Sequence, residues 1–328
     1  MAHGIYTSRD FQIGNKVAWH KLTRVKQPER TDFPFIRVEP LFYGDDCKAA
    51  THGDSVFVLP VADDDGLPVA APFSGSYTLF QPREAWDWVH ETLSGTGFSV
   101  ESIGMLWNRS FWFLGVVLNE LQSLSVGDGR QALFNLNFSG ALDKSTSPQC
   151  ELASILPVCW NTISLSRMQG KVLFKTKATK NFATRLELAK AEVENAVGMT
   201  AIFRAAMGQL AERECTQERA ERVFAGLISD DKTEKLSTRA QNMVAELTDL
   251  HETGDGNKGE TEFDLLNAFT EFHTRGSRDS DMSAGKRFTT SEFGTSADAK
   301  AEFARLLTTG RTALPAIESR GEKLLLAS

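Results

Sequence analysis

Residues Phe98–Leu118 read FSVESIGMLWNRSFWFLGVVL, two apolar runs on either side of the polar break Trp107-Asn108-Arg109-Ser110. Short apolar runs bounded by turn formers predict strands, and a break of this kind between two of them predicts an antiparallel hairpin. The same texture holds outward from about Phe35 to Leu156. Further candidate strands are Phe35–Tyr43, Ser55–Val61, Ser76–Phe80, Ala132–Phe138 and Cys150–Leu156, with a second hairpin across Ser139–Pro148. One helix interrupts them. Gln81-Pro82-Arg83-Glu84 opens it, Trp86, Val89, His90 and Leu93 fall on one face, and Gly95 and Gly97 end it.

After Pro157 the pattern becomes helical. Thr179–Ile228 contains no proline and keeps an apolar stripe at helical spacing, which predicts one long helix. Further helices are expected over Thr233–Leu250, Glu260–Thr274 and Ala297–Leu307. The fold class expected is α+β: an antiparallel, hairpin-rich sheet with one crossing helix, then a helical C-terminal part. The division expected is 1–163 for the mainly β region and 164–328 for the helical one.

The 328 residues are 41% hydrophobic and 24% charged, ordinary values for a soluble globular chain. The N-terminal residues lack the apolar core of a signal peptide, and no apolar run approaches the ~20 residues that span a bilayer. Four scattered cysteines read as reduced thiols. A cytoplasmic protein without a membrane partner is expected.

Charge is distributed unevenly. Ser164–Lys190 carries seven basic residues (Arg167, Lys171, Lys175, Lys177, Lys180, Arg185, Lys190) against Glu187, a local +6 in a chain of formal net charge -7. Phosphate is the commonest partner of such a patch, because each cation that meets one releases condensed counterions. The competing reading is a solvated helix start. Trp107, Arg109, Phe111 and Trp112 alternate at the first hairpin, so Trp107 and Arg109 are candidate base-stacking partners; core packing is the alternative.

Other patterns carry less. Gly254–Gly259, GDGNKG, satisfies G-x-G-x-x-G but follows a predicted helix rather than a strand, and is expected to be a flexible interhelical linker. Asp63-Asp64-Asp65-Gly66 lacks the ligand spacing of a calcium loop and reads as a turn. The six histidines lack metal-site spacing, so no metal and no cofactor is expected. Cys159 with His20 or His273 is a conceivable nucleophile pair; the competing reading is a core cysteine followed by an ordinary cap, with Asn161-Thr162 starting the next helix.

Three separated elements resemble one family. Ala18-Trp19-His20-Lys21-Leu22 is similar to the Trp-His-Gly-Leu element of the phage/plasmid-like family catalogued as domain of unknown function 932. Pro157–Ile163, with Cys159, Asn161 and Thr162, resembles its Val-Cys-x-Asn-Thr-Leu element. Asn267–His273, with Asn267, Glu271 and His273, resembles its Asn-Ala-x-Thr-Glu-Tyr element and the His that follows. The chain departs from the family at Gly140–Ser145, where a His-Asp-Gly-Ser turn is common, and at Ile155-Leu156-Pro157, where Arg often precedes the Val-Cys pair. The resemblance implies a mobile element in a bacterial host cell and no particular chemistry. In architecture the chain is also similar to phage single-strand annealing proteins, which implies single-stranded DNA as partner and a homo-oligomer. The expected function is therefore non-enzymatic nucleic-acid binding, through Arg167, Lys171, Lys175, Lys177, Lys180 and Arg185 with Arg109 and Trp107. The alternative is an interaction protein acting on a host factor.

Overall fold

The computed structural model describes residues 10–14, 26–52, 55–75, 77–94, 97–118, 124–125, 131–156, 161–168, 173–176, 184, 187, 191, 196–230, 232–275 and 290–328. The chain divides into two compact units: Met1–Gln122 with Asn135–Leu152 and Val172–Val197, and Ser123–Phe134 with Ala153–Lys171 and Gly198–Ser328. The fold is α+β with antiparallel sheets and a helical C-terminal part, as expected.

In the first unit the hairpin forms with its predicted ends, Phe98–Leu106 paired antiparallel to Phe111–Leu118. Phe11–Gly14 flanks it on one side and Gln131–Ala141 on the other, followed by Gln149–Leu156, whose first residues pair with Phe174–Lys175. Ile103, Met105, Trp112 and Leu114 share one face of the hairpin and are all buried, and Phe111 is buried with Leu106 on the other. Gly140 lies opposite Trp112, where a Cβ would come 2.7 Å from the indole. A larger residue there would displace the ring.

The turn of this hairpin is strained. Trp107, Asn108 and Arg109 have φ of 55°, 59° and 66°, and the left-handed conformation costs a residue with a Cβ roughly 1–2 kcal/mol, less for Asn. Hydrogen bonds offset this. Asp10 accepts from the Asn108 amide at 2.8 Å, and the Ser110 hydroxyl donates to the Trp107 carbonyl at 2.9 Å. The Arg109 guanidinium donates to Asp64 at 2.6 and 2.7 Å.

Helix α1, Pro82–Thr92, starts as predicted, with a reciprocal Gln81/Glu84 capping box and proline in its first turn. Its buried face is Ala85, Trp88, Val89 and Thr92, with Leu93 just beyond. Val89 and Leu93 match the predicted face, but Trp86 and His90 stack on each other, with His90 exposed. Trp86 and Trp88 lie about 200° apart on a helix, so one must point away. Trp88 takes the inside because its ring meets Phe138 and Phe174 edge-on, at 5.6 and 5.4 Å.

A smaller sheet joins Ile36–Pro40, Ser55–Ala62, Thr51–His52 and Phe73–Ser74, and Phe42–Tyr43 pairs with Lys48–Ala49. The strand predicted over Ser76–Phe80 is displaced to Phe73–Ser74. The Tyr77 amide bonds back to the Ser74 carbonyl, and this turn takes the chain out of the sheet.

In the second unit, Ala153–Leu156 pairs with Asn161–Ser164, and α2, Leu165–Met168, follows. The predicted helix start at Asn161-Thr162 is therefore a strand, because this ladder engages the backbone of both residues. The unit continues with the helices α3, Ala196–Glu212; α4, Gln217–Ile228; α5, Thr238–Thr253; α6, Glu262–Arg275; α7, Thr295–Thr308; and α8, Leu314–Ala327. The single helix predicted to end at Ile228 is broken between α3 and α4. The Thr216 hydroxyl caps α4 by accepting from the Arg219 amide, and the Arg213 carbonyl and Cys215 amide bond across to Glu262 and Glu260. Among the described residues no helix is long and apolar enough to cross a membrane.

Helices α4 and α8 cross in backbone contact. A Cβ on Gly321 would lie 1.8 Å from the Arg222 carbonyl oxygen, and one on Gly226 2.1 Å from that of Ile317. The clash is with backbone, so no rotamer change relieves it. Gly321→Ala should lower the unfolding free energy by about 1–3 kcal/mol or more in a denaturant titration, through overpacking; an unchanged midpoint would show that the helices can slide apart at no cost.

Candidate functional site

Helix α6 carries the Asn267–His273 element and organises the polar interior of the second unit. Its start is a reciprocal cap. The Asp264 carboxylate accepts from the amides of Glu260 and Thr261 at 3.1 and 3.0 Å, while the Thr261 hydroxyl accepts from the Asp264 amide at 3.2 Å. Glu262, one residue inside, has a side chain only 1% exposed. Arg311 donates to both its oxygens, at 2.5 and 2.9 Å, Arg219 lies at 2.9 Å and Arg213 at 3.7 Å. Burial alone would push the Glu262 carboxyl up. The guanidiniums of Arg311 and then Arg219 outweigh it and hold the group below its ordinary value.

One turn on, Asn267 and Glu271 share a face at i, i+4 spacing, directed at the GDGNKG loop. Asn267 Nδ2 donates to the Asp255 carbonyl at 3.1 Å and to Asn257 Oδ1 at 2.7 Å. Glu271 Oε2 accepts from the Asp255 amide at 3.2 Å. Asn257 Nδ2 in turn donates to the carbonyls of Leu250 and Asp264, at 2.7 and 3.3 Å. The loop expected to be a flexible linker is thus pinned on three sides. Gly256 and Gly259 have positive φ, so these two glycines serve turn geometry. The loop joins helix to helix, which removes the strand that a dinucleotide cradle requires.

The far end of α6 meets a buried cation. Lys300 on α7 is 1% exposed, and its Nζ donates to Thr274 Oγ1 at 3.1 Å and Ser291 Oγ at 3.0 Å, with Glu292 Oε1 at 3.9 Å. His273 packs against Phe269 and Phe272. Burial, with a smaller contribution from Lys300, lowers its pKa to about 4. His251 is also lowered by burial, and its Nδ1 lies 3.1 Å from Gln217 Oε1. A serine beside a lysine amine is one arrangement that supports acyl transfer. Here Ser291 is 0% exposed and the amine has a carboxylate partner, which is the geometry of a buried ion pair. Cys215 is no better a nucleophile, since burial pushes its thiol up to about 12. Among the described residues no group of three or more His, Cys, Asp or Glu side chains is placed to hold a metal.

The predicted nucleic-acid contacts are divided. Arg167 donates to Asp298 at 2.5 Å and to the Phe293 carbonyl at 3.1 Å. Arg109 is held by Asp64, with Asp65 at 3.4 Å, and its guanidinium carbon lies 5.9 Å from the centre of the Phe11 ring. Trp107 packs on Phe111 at 5.0 Å. Lys175 is exposed on its short strand. Lys171, Lys177, Lys180 and Arg185 lie outside the described residues, as do Trp19, His20 and Cys159 of the family elements; Asn161 and Thr162 open the strand paired with Ile155 and Leu156. Sequence reasoning missed Glu262, Asn257 and Lys300. Thr261-x-x-Asp264 was a readable cap, and Lys300 breaks the apolar stripe Ala297, Ala301, Ala304 at a core position.

Fold and site together define a mixed α+β protein whose motif-bearing helix holds a pinned loop at one end and a buried ion pair at the other. The sequence model of the family described as Domain of unknown function (DUF932) matches residues 71–307, and the chain belongs to that family. The match includes the second and third elements and begins after Trp19-His20. No curated protein matches the chain, and no solved structure does.

Two outcomes follow from this geometry. Asn267→Ala should cost about 0.5–1.5 kcal/mol, the net worth of hydrogen bonds to partners that water can still reach, and should speed amide exchange at residues 254–259; protection unchanged there would mean that the pin is dispensable. His273 is depressed when folded, so the unfolded chain binds the extra proton between about pH 6.5 and about 4. Stability is therefore complete above that window and falls as pH drops through it, with His251 acting in the same direction. In denaturation curves at several pH values, His273→Gln should flatten this slope by up to about 1.4 kcal/mol per pH unit within the window; an unaltered slope would assign it elsewhere.

Proposed function

We propose that the protein binds nucleic acid without catalysis, as a component of a phage or other mobile element. The observation that carries this is the segregation of charge: seven basic residues against one acid in Ser164–Lys190, inside a chain of net charge -7. A polyanion is attracted to such a stretch while the rest of an acidic surface turns away from it. The contact set is Lys171, Lys175, Lys177, Lys180 and Arg185. Arg167 and Arg109 leave it, because each already holds carboxylates of its own unit. Single-stranded DNA is the partner proposed, with annealing in recombination or replication as the role, since annealing needs only backbone neutralisation and accessible bases.

Fluorescence anisotropy of a labelled single strand against the matching duplex, at low and moderate salt, tests this reading. Binding should favour the single strand and weaken steeply with salt. Replacing Lys175, Lys177 and Lys180 with Glu should weaken it at least ~10-fold at low salt. Equal affinity in the triple variant would overturn the contact set, and absence of binding at low salt would overturn the function.

A further inference from the structure

Trp88 holds the inside of α1, which turns Trp86 outward, but Trp86 is not left bare. Its ring lies 4.9 Å from that of His90, one turn on, with 25° between the planes. His90 in turn meets Phe98 at 5.0 Å, nearly edge-on. Phe98 opens the strand Phe98–Leu106, so helix and strand together carry one row of three rings. Trp86 and Phe98 are half-buried and His90 is exposed, which leaves the row anchored yet open to solvent.

The charges around the row are arranged in its favour. Arg83 shares the face, since 83, 86 and 90 follow the i, i+3, i+7 spacing of one helical stripe. Its Nε donates to the Phe33 carbonyl at 2.7 Å, which fixes the guanidinium on that stripe. Asp87 is neutralised by Arg30, which donates to both its oxygens at 2.6 and 2.7 Å. The Glu84 carboxylate accepts from the Gln81 amide at 2.8 Å, and Glu91 is turned about 100° away from His90 around the helix. The inner side of the same helix adjoins the basic stretch: Trp88 packs on Phe174, the neighbour of the exposed Lys175.

A half-exposed row of rings suits a ligand that is flat and apolar on its faces and polar at its edges. Stacking takes a face out of water and leaves the edges solvated, so it requires no particular base. In a single strand every base is also followed by a phosphate, the group a guanidinium meets best. We infer that Trp86, His90 and Phe98 stack the bases of a single strand while Arg83 meets its backbone. These rings take the place of Trp107, which packs on Phe111, and of Arg109, which holds Asp64. The inference deepens the nucleic-acid reading and rests on it, adding a contact to the bases themselves.

Anisotropy of two labelled strands of equal length and charge, one of thymidines and one abasic, tests it. The wild-type chain should bind the thymidine strand at least ~5-fold more tightly. W86L/H90A keeps apolar bulk at position 86 without a flat ring. It should lose that preference with an unchanged salt slope, because no phosphate contact is removed. Arg83→Gln should do the reverse, keeping the preference and lowering the slope by about 1. Trp86→Phe, which retains a ring, should bind as the wild type does, and all variants should keep its far-UV circular dichroism. Equal wild-type affinity for the two strands would overturn the platform while leaving phosphate binding intact. So would a W86L/H90A variant that keeps the preference, or one that weakens equally on both strands, the mark of a merely structural role. Absence of wild-type binding to either strand would instead overturn the nucleic-acid reading, and the platform with it.

Discussion

A carboxylate removed from water must be paired, and Glu262 is the group that imposes this condition on the second unit. With 1% of its side chain exposed, it collects guanidiniums from Arg213, Arg219 and Arg311. These come from the end of one helix, the start of another and the turn that leads to the last. Losing one partner from a buried ion cluster is far more costly than never forming it. The break between α3 and α4, the capped start of α6 and the turn at Arg311 are therefore energetically coupled, and Glu318 extends the network to α8 through Arg219.

What could be read from the sequence depended on whether the deciding interaction was local. The central hairpin was legible to the residue, because apolar runs and a polar break specify it without distant partners. The start of α1 was legible for the same reason, through Gln81, Pro82 and Glu84. Its buried face was not: two tryptophans two residues apart compete for one side, and rings on the sheet choose between them. The break at 213–216 was obscured because its polar groups are satisfied across the unit, by residues 260–262, although Thr216 was a cap in plain view. Lys300 illustrates the same limit. Its place in an apolar stripe is visible, but the hydroxyls that receive its protons lie on Thr274 and Ser291.

The third family element now has a physical account. Asn267 and Glu271 hold a six-residue loop, and His273 with Thr274 borders the Lys300 ion pair. Polar residues recurring at fixed spacing suggest chemistry, and here Asn267 and Glu271 also hold the backbone of Asp255 in a surface loop.

The strained turn at Trp107–Arg109 has a bearing on how the chain reaches its native state. Its compensating contacts are remote: Asp10 is 98 residues earlier and Asp64 is 45 residues earlier. Short hairpins are ordinarily fast, early events, because closing a small loop loses little entropy. Here the tip is unfavourable until both distant aspartates arrive. The strands can zip from the middle, but the loop reaches its final geometry only when much of the first unit has assembled around it. A contact that is local along the chain becomes one of the late steps of folding.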